Sequence, residues 1–206
     1  MKNSGFVAVA GRLWVMVLLA LPISGVFAQE ADPYKVVSQV TDKLVSAARA
    51  HNSGGDKAAY DAQVLQALEP VVAFDYIARV VMGDYYKAAS EEQRKAFAEK
   101  FKTGLVSTYA KGIATYADSD IRVLPASESV GDKRRVTVDQ EVKYQGATHK
   151  LSYTMGKNRE GQWKLINLVL NGANLGSSFS SQFEQLANKY KGDVAKVIDH
   201  WDADKA

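Results

Sequence analysis

Up to Asp118 the apolar residues of this 206-residue chain recur every three to four positions, and beyond it they recur every two. This change of period constrains the fold more than any single motif, because a period near 3.6 marks one buried face of a helix and a period of two marks one face of a strand. Helices first and strands second predict an α+β protein in which a helical N-terminal half packs against a curved, mostly antiparallel four-stranded sheet, with further helices at the C-terminus.

Asp32-Pro33 reads as a helix start, an N-cap followed by proline in the first turn. From there Val36, Val40, Leu44 and Ala47/Ala48 form a stripe expected to be plain packing. After the loop Asn52-Ser53-Gly54-Gly55, Asp56 can cap a second helix with Tyr60, Val64, Leu65 and Leu68 inward, ending before Pro70. Phe74, Ile77/Ala78, Val81 and Tyr85 continue at helical spacing, with Gly83 the expected break. Ser90 with Gln93 three residues on is a capping box that opens the longest helix, in which Phe97, Phe101, Leu105 and Thr108/Tyr109 sit one turn apart.

In the second half, Ile121 to Leu124 reads as a short strand, and Val136, Val138, Gln140, Val142 and Tyr144 alternate along a longer one. Gln145-Gly146 turns the chain, after which His149, Leu151, Tyr153 and Met155 share one face of a third strand. In the fourth, Trp163, Leu165 and Val169 alternate against Ile166, Leu168 and Leu170, so both faces are expected to be covered. Two helices close the chain, carrying Phe179, Phe183, Leu186 and Tyr190, then Val194, Val197/Ile198 and Trp201. The terminal stripe is also expected to be plain packing.

The N-terminus has its own signature. Lys2 and Arg12 precede the apolar run Leu13 to Leu21, Pro22 breaks it, and Val26-Phe27-Ala28 offers a signal-peptidase site. The run is short of the roughly 18–20 apolar residues that a spanning helix needs. Residues 1–28 are therefore expected to be a cleaved secretory leader and 29–206 a single domain, with the mature chain exported. The formal charge of +3 then falls to 24 basic against 23 acidic residues, and without a basic excess nucleic acid is a poor partner.

Chemistry-bearing motifs are sparse. The chain contains no Cys, which excludes disulfides, thiolate metal sites and Cys nucleophiles. His51, His149 and His200 lack a second ligand at metal spacing, and no metal site is expected. No nucleophile elbow, phosphate loop or dinucleotide fingerprint is present, and Gly172 to Gly176 reads as a turn. One enzymatic alternative is acid–base catalysis in a cone-shaped α+β fold, with Asp139 or Asp75 as base and Tyr144 or Tyr153 as hydrogen-bond donor. Asp139 has the opposite parity to Val136, Val138 and Val142 and should face water, which implies no tuning of its acidity.

The more unusual feature is the mass of apolar side chain aimed at one place. Helices contribute Phe74, Ile77, Val81, Tyr85, Phe97, Phe101, Leu105 and Tyr109; strands contribute Val136, Val138, Val142, Leu151, Tyr153, Met155, Leu168 and Leu170. Periodicity alone does not distinguish a solid core from a hollow one.

Two blocks point to a family. Phe74-Asp75-Tyr76, the run Val81-Met82-Gly83-Asp84-Tyr85-Tyr86-Lys87, Ser90 to Arg94, Phe97, Phe101 and Thr108-Tyr109 form the first. Trp163 to Leu175, then Phe179 and Gln182-Phe183, form the second. In order and spacing they resemble the MlaC, or toluene-tolerance, family of periplasmic phospholipid carriers. Asn171 departs from the resemblance, since relatives often carry an acid there, as does Ser180, near which they carry a basic residue.

The resemblance implies a non-catalytic, monomeric carrier without a cofactor, shuttling glycerophospholipid between an outer-membrane lipoprotein–porin complex and an inner-membrane ABC transporter with an MCE-type ring. At about 0.8 kcal/mol per methylene, two chains of roughly 28 methylenes cost on the order of 20 kcal/mol in water. Such a carrier needs a dry cavity, and the apolar set above would line it, with Met82 and Met155 adaptable to varied chains. The headgroup should remain at the cavity mouth. Ala173 and Leu175 are candidates either for the pocket entrance or for a simple turn.

Overall fold

The computed structural model describes residues 32–126 and 129–205; the leader assigned to residues 1–28 lies outside them. Helix α1 (Pro33–Asn52) begins where Asp32 Oδ1 accepts the Tyr34 N–H at 2.9 Å, and α2 (Lys57–Leu68) where Asp56 accepts from Ala59. Helix α3 (Phe74–Met82) stops at Gly83, whose φ of 54° lies in the left-handed region that side chains disfavour, and a single turn α4 (Tyr85–Ala88) follows. The long helix α5 (Glu91–Thr115) carries the expected reciprocal cap: Ser90 Oγ accepts from Gln93 N, and Gln93 Oε1 accepts from Ser90 N.

The sheet is an antiparallel meander of β1 (Asp120–Val123), β2 (Arg135–Tyr144), β3 (Ala147–Lys157), β4 (Trp163–Leu170) and β5 (Ala173–Asn174), in that spatial order. The four expected strands are thus joined by a fifth, a two-residue return in which Ala173 pairs with Leu170. The β2–β3 turn places both Gln145 and Gly146 at positive φ, the geometry whose twist matches a two-residue hairpin. Helix α6 (Leu175–Lys189), capped by Asn174, and α7 (Val194–His200), capped by Asp193, complete the fold with a short 3-10 turn (Ala203–Lys205).

One irregularity decides which residues face inward. Across β3 and β4, Thr154 opposes Asn167 but Met155 opposes Leu165, which leaves Ile166 as a bulge. A bulge shifts side-chain parity by one. Met155–Leu165, Tyr153–Leu168 and Leu151–Leu170 are therefore cross-strand pairs on one face, although strict alternation puts Leu165 opposite to Leu168 and Leu170. Ile166 turns the other way, its Cδ1 3.1 Å from where a Cβ on Gly156 would lie. At the bulge β4 also meets the segment after α2: Leu165 N donates to Val71 O at 2.7 Å and Ala73 N to Leu165 O at 3.0 Å.

The helices cover one face of the sheet, with α1 against β1 and β2, and α3 and α6 against β4; α5 packs on α1, α2, α3 and α7. The buried core falls into two clusters. The larger joins the helices around Phe97, Phe101, Phe179, Phe183 and Trp201. The smaller joins α1 to the sheet through Val37, Val138, Met155 and Trp163.

Candidate functional site

Between the helices and the concave sheet face the side chains do not meet. Two adjoining chambers remain, of about 310 and 190 Å³, with a third of about 70 Å³ at the N-terminal end of α1. The first two share Leu44, Tyr109, Ile113, Leu151, Tyr153 and Leu168 as a common wall. The larger adds Thr41 and Val45 from α1, Gly112 from α5, Ile121, Gln140 and Val142 from the first two strands, and Leu170 from β4. Tyr116, His149 and Asn171 bound one end of it. The second runs towards the helical core, bounded by Phe74, Ile77, Phe101, Leu105, Leu175 and Phe179, with Leu68, Val72, Leu165, Asn167 and Gly176. No Asp, Glu, Lys or Arg lines either chamber among the described residues.

Of the residues singled out in the sequence, Phe74, Ile77, Phe101, Leu105, Tyr109, Val142, Leu151, Tyr153, Leu168, Leu170 and Leu175 face these chambers, and Met155 the smallest one. Val81, Met82, Tyr85 and Phe97 instead pack within the helical cluster, with the Phe97 ring 5.0 Å from Phe183 and 5.4 Å from Trp201. Val136 and Val138 pack in the smaller cluster, where Met155 and Trp163 fill the space beside them. Ala173 is exposed on β5.

The α1 stripe departs from the packing role expected of it: Val36 and Val40 border the smallest chamber and Leu44 borders all three. The reason is that α1, besides packing on α2 and α5, also lies against β1 and β2 and so faces the space over the sheet. Gln140 was legible as a polar residue in the inward register of Val138 and Val142. It is only 3% exposed, and its Nε2 donates to Thr41 Oγ1 at 2.9 Å while its Oε1 accepts the Tyr153 hydroxyl at 2.7 Å. The bridge satisfies three polar groups inside an apolar space and ties α1 to β2 and β3. Burial raises the Tyr153 pKa strongly and pushes that of Tyr109 up to about 12, so both hydroxyls stay neutral at physiological pH.

The groups considered for acid–base chemistry do not converge. Asp139 is exposed and accepts from Ser152 Oγ at 2.5 Å, Asp75 is exposed on the first turn of α3, and the Tyr153 hydroxyl is committed to Gln140. The three histidines occupy separate places: His51 stacks on Tyr60, His200 accompanies Tyr190, and His149 sits at the larger chamber beside Tyr116.

Fold and site together define an α+β protein whose helices roof a curved sheet over an apolar interior that its own side chains leave unfilled. Residues 38–203 match the family described as MlaC protein, and the chain belongs to that family. It is 32% identical over 200 residues to toluene tolerance protein ttg2D of Pseudomonas putida, a match spanning 95% of this chain and 90% of that protein. It is 28% identical over 167 residues to the intermembrane phospholipid transport system binding protein MlaC of Haemophilus influenzae, spanning 77% and 76%. A phospholipid-binding protein from Ralstonia solanacearum, solved in complex with a phospholipid, shares the fold with a TM-score of 0.74 at 23% identity, over 82% of this chain and 94% of that one.

Proposed function

We propose that this chain is a periplasmic phospholipid carrier, and not an enzyme, that holds glycerophospholipid acyl chains in the two adjoining chambers. The observation that carries the reading is their lining: apolar walls without a charged side chain among the described residues, enclosing space within the range of small-molecule sites. Membership of the MlaC family supports it, as do the phospholipid-related names of the relatives. A filled core would gain dispersion energy from every wall contact, so a chain that leaves Leu44, Leu151 and Leu168 facing empty space forgoes stability that a guest restores.

On this reading the mature chain starts at Gln29 and works as a monomer between an outer-membrane lipoprotein–porin complex and an inner-membrane ABC transporter carrying an MCE-type ring, in a system that maintains lipid asymmetry. The carrier itself sets no direction: with equal affinity for donor and acceptor it moves lipid down whatever gradient its partners sustain.

The test is gentle native mass spectrometry of the chain purified from a Gram-negative periplasm. Glycerophospholipid adducts are expected, and N-terminal sequencing should begin at Gln29. Leu151→Trp, which projects bulk into both chambers, should remain folded and lose the adduct. A wild-type chain free of glycerolipid, in native spectra and organic extracts alike, would refute the carrier role.

A further inference from the structure

Apart from Tyr109 and the Thr41–Gln140–Tyr153 bridge, the polar side chains of the larger chamber gather at one corner, where His149 is held in a defined orientation. Asn171, at a left-handed φ of 49° in the turn between β4 and β5, accepts the Lys150 backbone N–H on its Oδ1 at 2.9 Å. That bond fixes which end of the amide faces the imidazole: Nδ2, 3.1 Å from His149 Nδ1. An amide nitrogen only donates, so Nδ1 is the acceptor and the neutral ring carries its proton on Nε2. Tyr116 completes the setting, its ring edge-on to both His149 and Tyr144 at 5.3 and 5.0 Å.

The surroundings suit an anion. No carboxylate lines the chamber among the described residues. Near the end of α5, where partial negative charge gathers, Ala114 O accepts from Asn52 Nδ2 at 2.8 Å, and just beyond it Ala117 O accepts from Arg49 Nε at 3.1 Å. The corner also reaches solvent through exposed Asn171, so an anionic group there keeps part of its hydration while chains enter the apolar space beside it.

We propose that His149, oriented by Asn171, donates its Nε2–H to the phosphodiester of a glycerophospholipid whose chains occupy the chambers. The proposal rests on the carrier reading and adds a polar criterion to it: the site recognises the phosphate common to glycerophospholipids and is indifferent to what the phosphate bears. Asn171 is a positioning residue, acting by holding the tautomer of the ring.

The experiment compares uptake by the delipidated chain of dimyristoyl phosphatidylglycerol and of dimyristoylglycerol, which has the same chains and no phosphate. The wild type should prefer the phospholipid about ten-fold, in keeping with a hydrogen bond to a charged group. His149→Phe, which keeps the ring bulk, should abolish that preference, bringing the affinity for the phospholipid down to that for the neutral lipid. In the wild type, the 15N signal of His149 Nε2 should shift with the phospholipid and stay in place with the neutral lipid or with inorganic phosphate alone. This signal does not depend on any variant folding. Equal wild-type affinity for the two lipids, an unchanged preference in His149→Phe, or a shift with inorganic phosphate alone would each overturn the site while leaving the carrier reading intact. Uptake of neither lipid would overturn both.

Discussion

The helical cluster around Trp201 and the space beneath α1 are built from the same kinds of side chain, yet one is solid and the other hollow. In the first, Phe97, Phe101, Phe179, Phe183 and Trp201 lie with ring centroids 5.0 to 6.0 Å apart, and each is 6% exposed or less. In the second, Leu44, Leu151 and Leu168 are only partly buried and border unfilled space. Helix surfaces can interdigitate until close-packed, because ridges of one fit grooves of the next. A helix laid across a curved sheet touches it only along parts of its length. Here the contact between α1 and the sheet is carried by the small cluster of Val37, Val138, Met155 and Trp163 at one place and the Thr41–Gln140–Tyr153 bridge at another.

The largest effect should come from truncating equivalent bulk in the two regions. Trp201→Ala removes a buried ring packed against Phe97, Phe101 and Phe179, and a loss of about 3–5 kcal/mol is expected in urea denaturation. Leu168→Ala should cost markedly less, on the order of 1 kcal/mol, because part of that side chain already faces a void. Equal costs would show that the chambers close in solution.

Adding bulk inverts the comparison. Val197→Phe in the solid cluster should destabilise by about 1–3 kcal/mol through overpacking. Leu44→Phe projects into empty space and should leave the urea midpoint nearly unchanged, within about 0.5 kcal/mol, the range of a change that meets no core clash. Lipid load measured by extraction should fall in Leu44→Phe and hold in Val197→Phe.

How far these regions can be told apart from sequence depends on backbone detail. The helix starts at Asp32, Asp56 and Ser90 were legible because each cap is a local contact between neighbours in the chain. The change of period after Asp118 gave the α+β division for the same reason. Hollowness is not local. Phe97 and Phe101 lie one turn apart on α5 and read alike, but only Phe101 borders a chamber. The facing of β4 depends on one bulged residue, Ile166, which strict alternation does not register, and β5 is too short to show a pattern. Leu44 belongs to an ordinary amphipathic stripe, and only the placement of α1 over the sheet turns it towards the chambers. Gln140 had a usable signal, a polar side chain in an inward register, since such a residue must find partners across the interior.

The α5 capping box bears on both regions, since that helix supplies Phe97 to one and Leu105 and Ile113 to the other. Ser90→Ala should cost about 1 kcal/mol of global stability. The lipid content of the folded fraction should not change, because the cap lies at the helix end remote in sequence from Tyr109 and Ile113. A selective loss of lipid would mean that the start of α5 shapes the chambers.

An effect that is absent at neutral pH tests whether the hollow region is dry. Tyr109 lines both chambers, and burial raises its pKa from the ordinary value near 10 to about 12. The unfolded chain therefore releases this proton near pH 10 while the folded chain keeps it until about pH 12. The contribution to stability is complete below about pH 10, declines as the pH rises towards 12, and is lost above it. The stability difference between wild type and Tyr109→Phe should accordingly be constant below about pH 9 and move against the wild type from about pH 10 to 12. The tyrosinate absorbance assigned to Tyr109 by the same pair should appear late, near pH 12. Water filling the chambers would solvate the phenolate and bring that midpoint back towards 10, in which case the space beside Leu151 and Leu168 is wet and its walls offer an acyl chain less than their composition suggests.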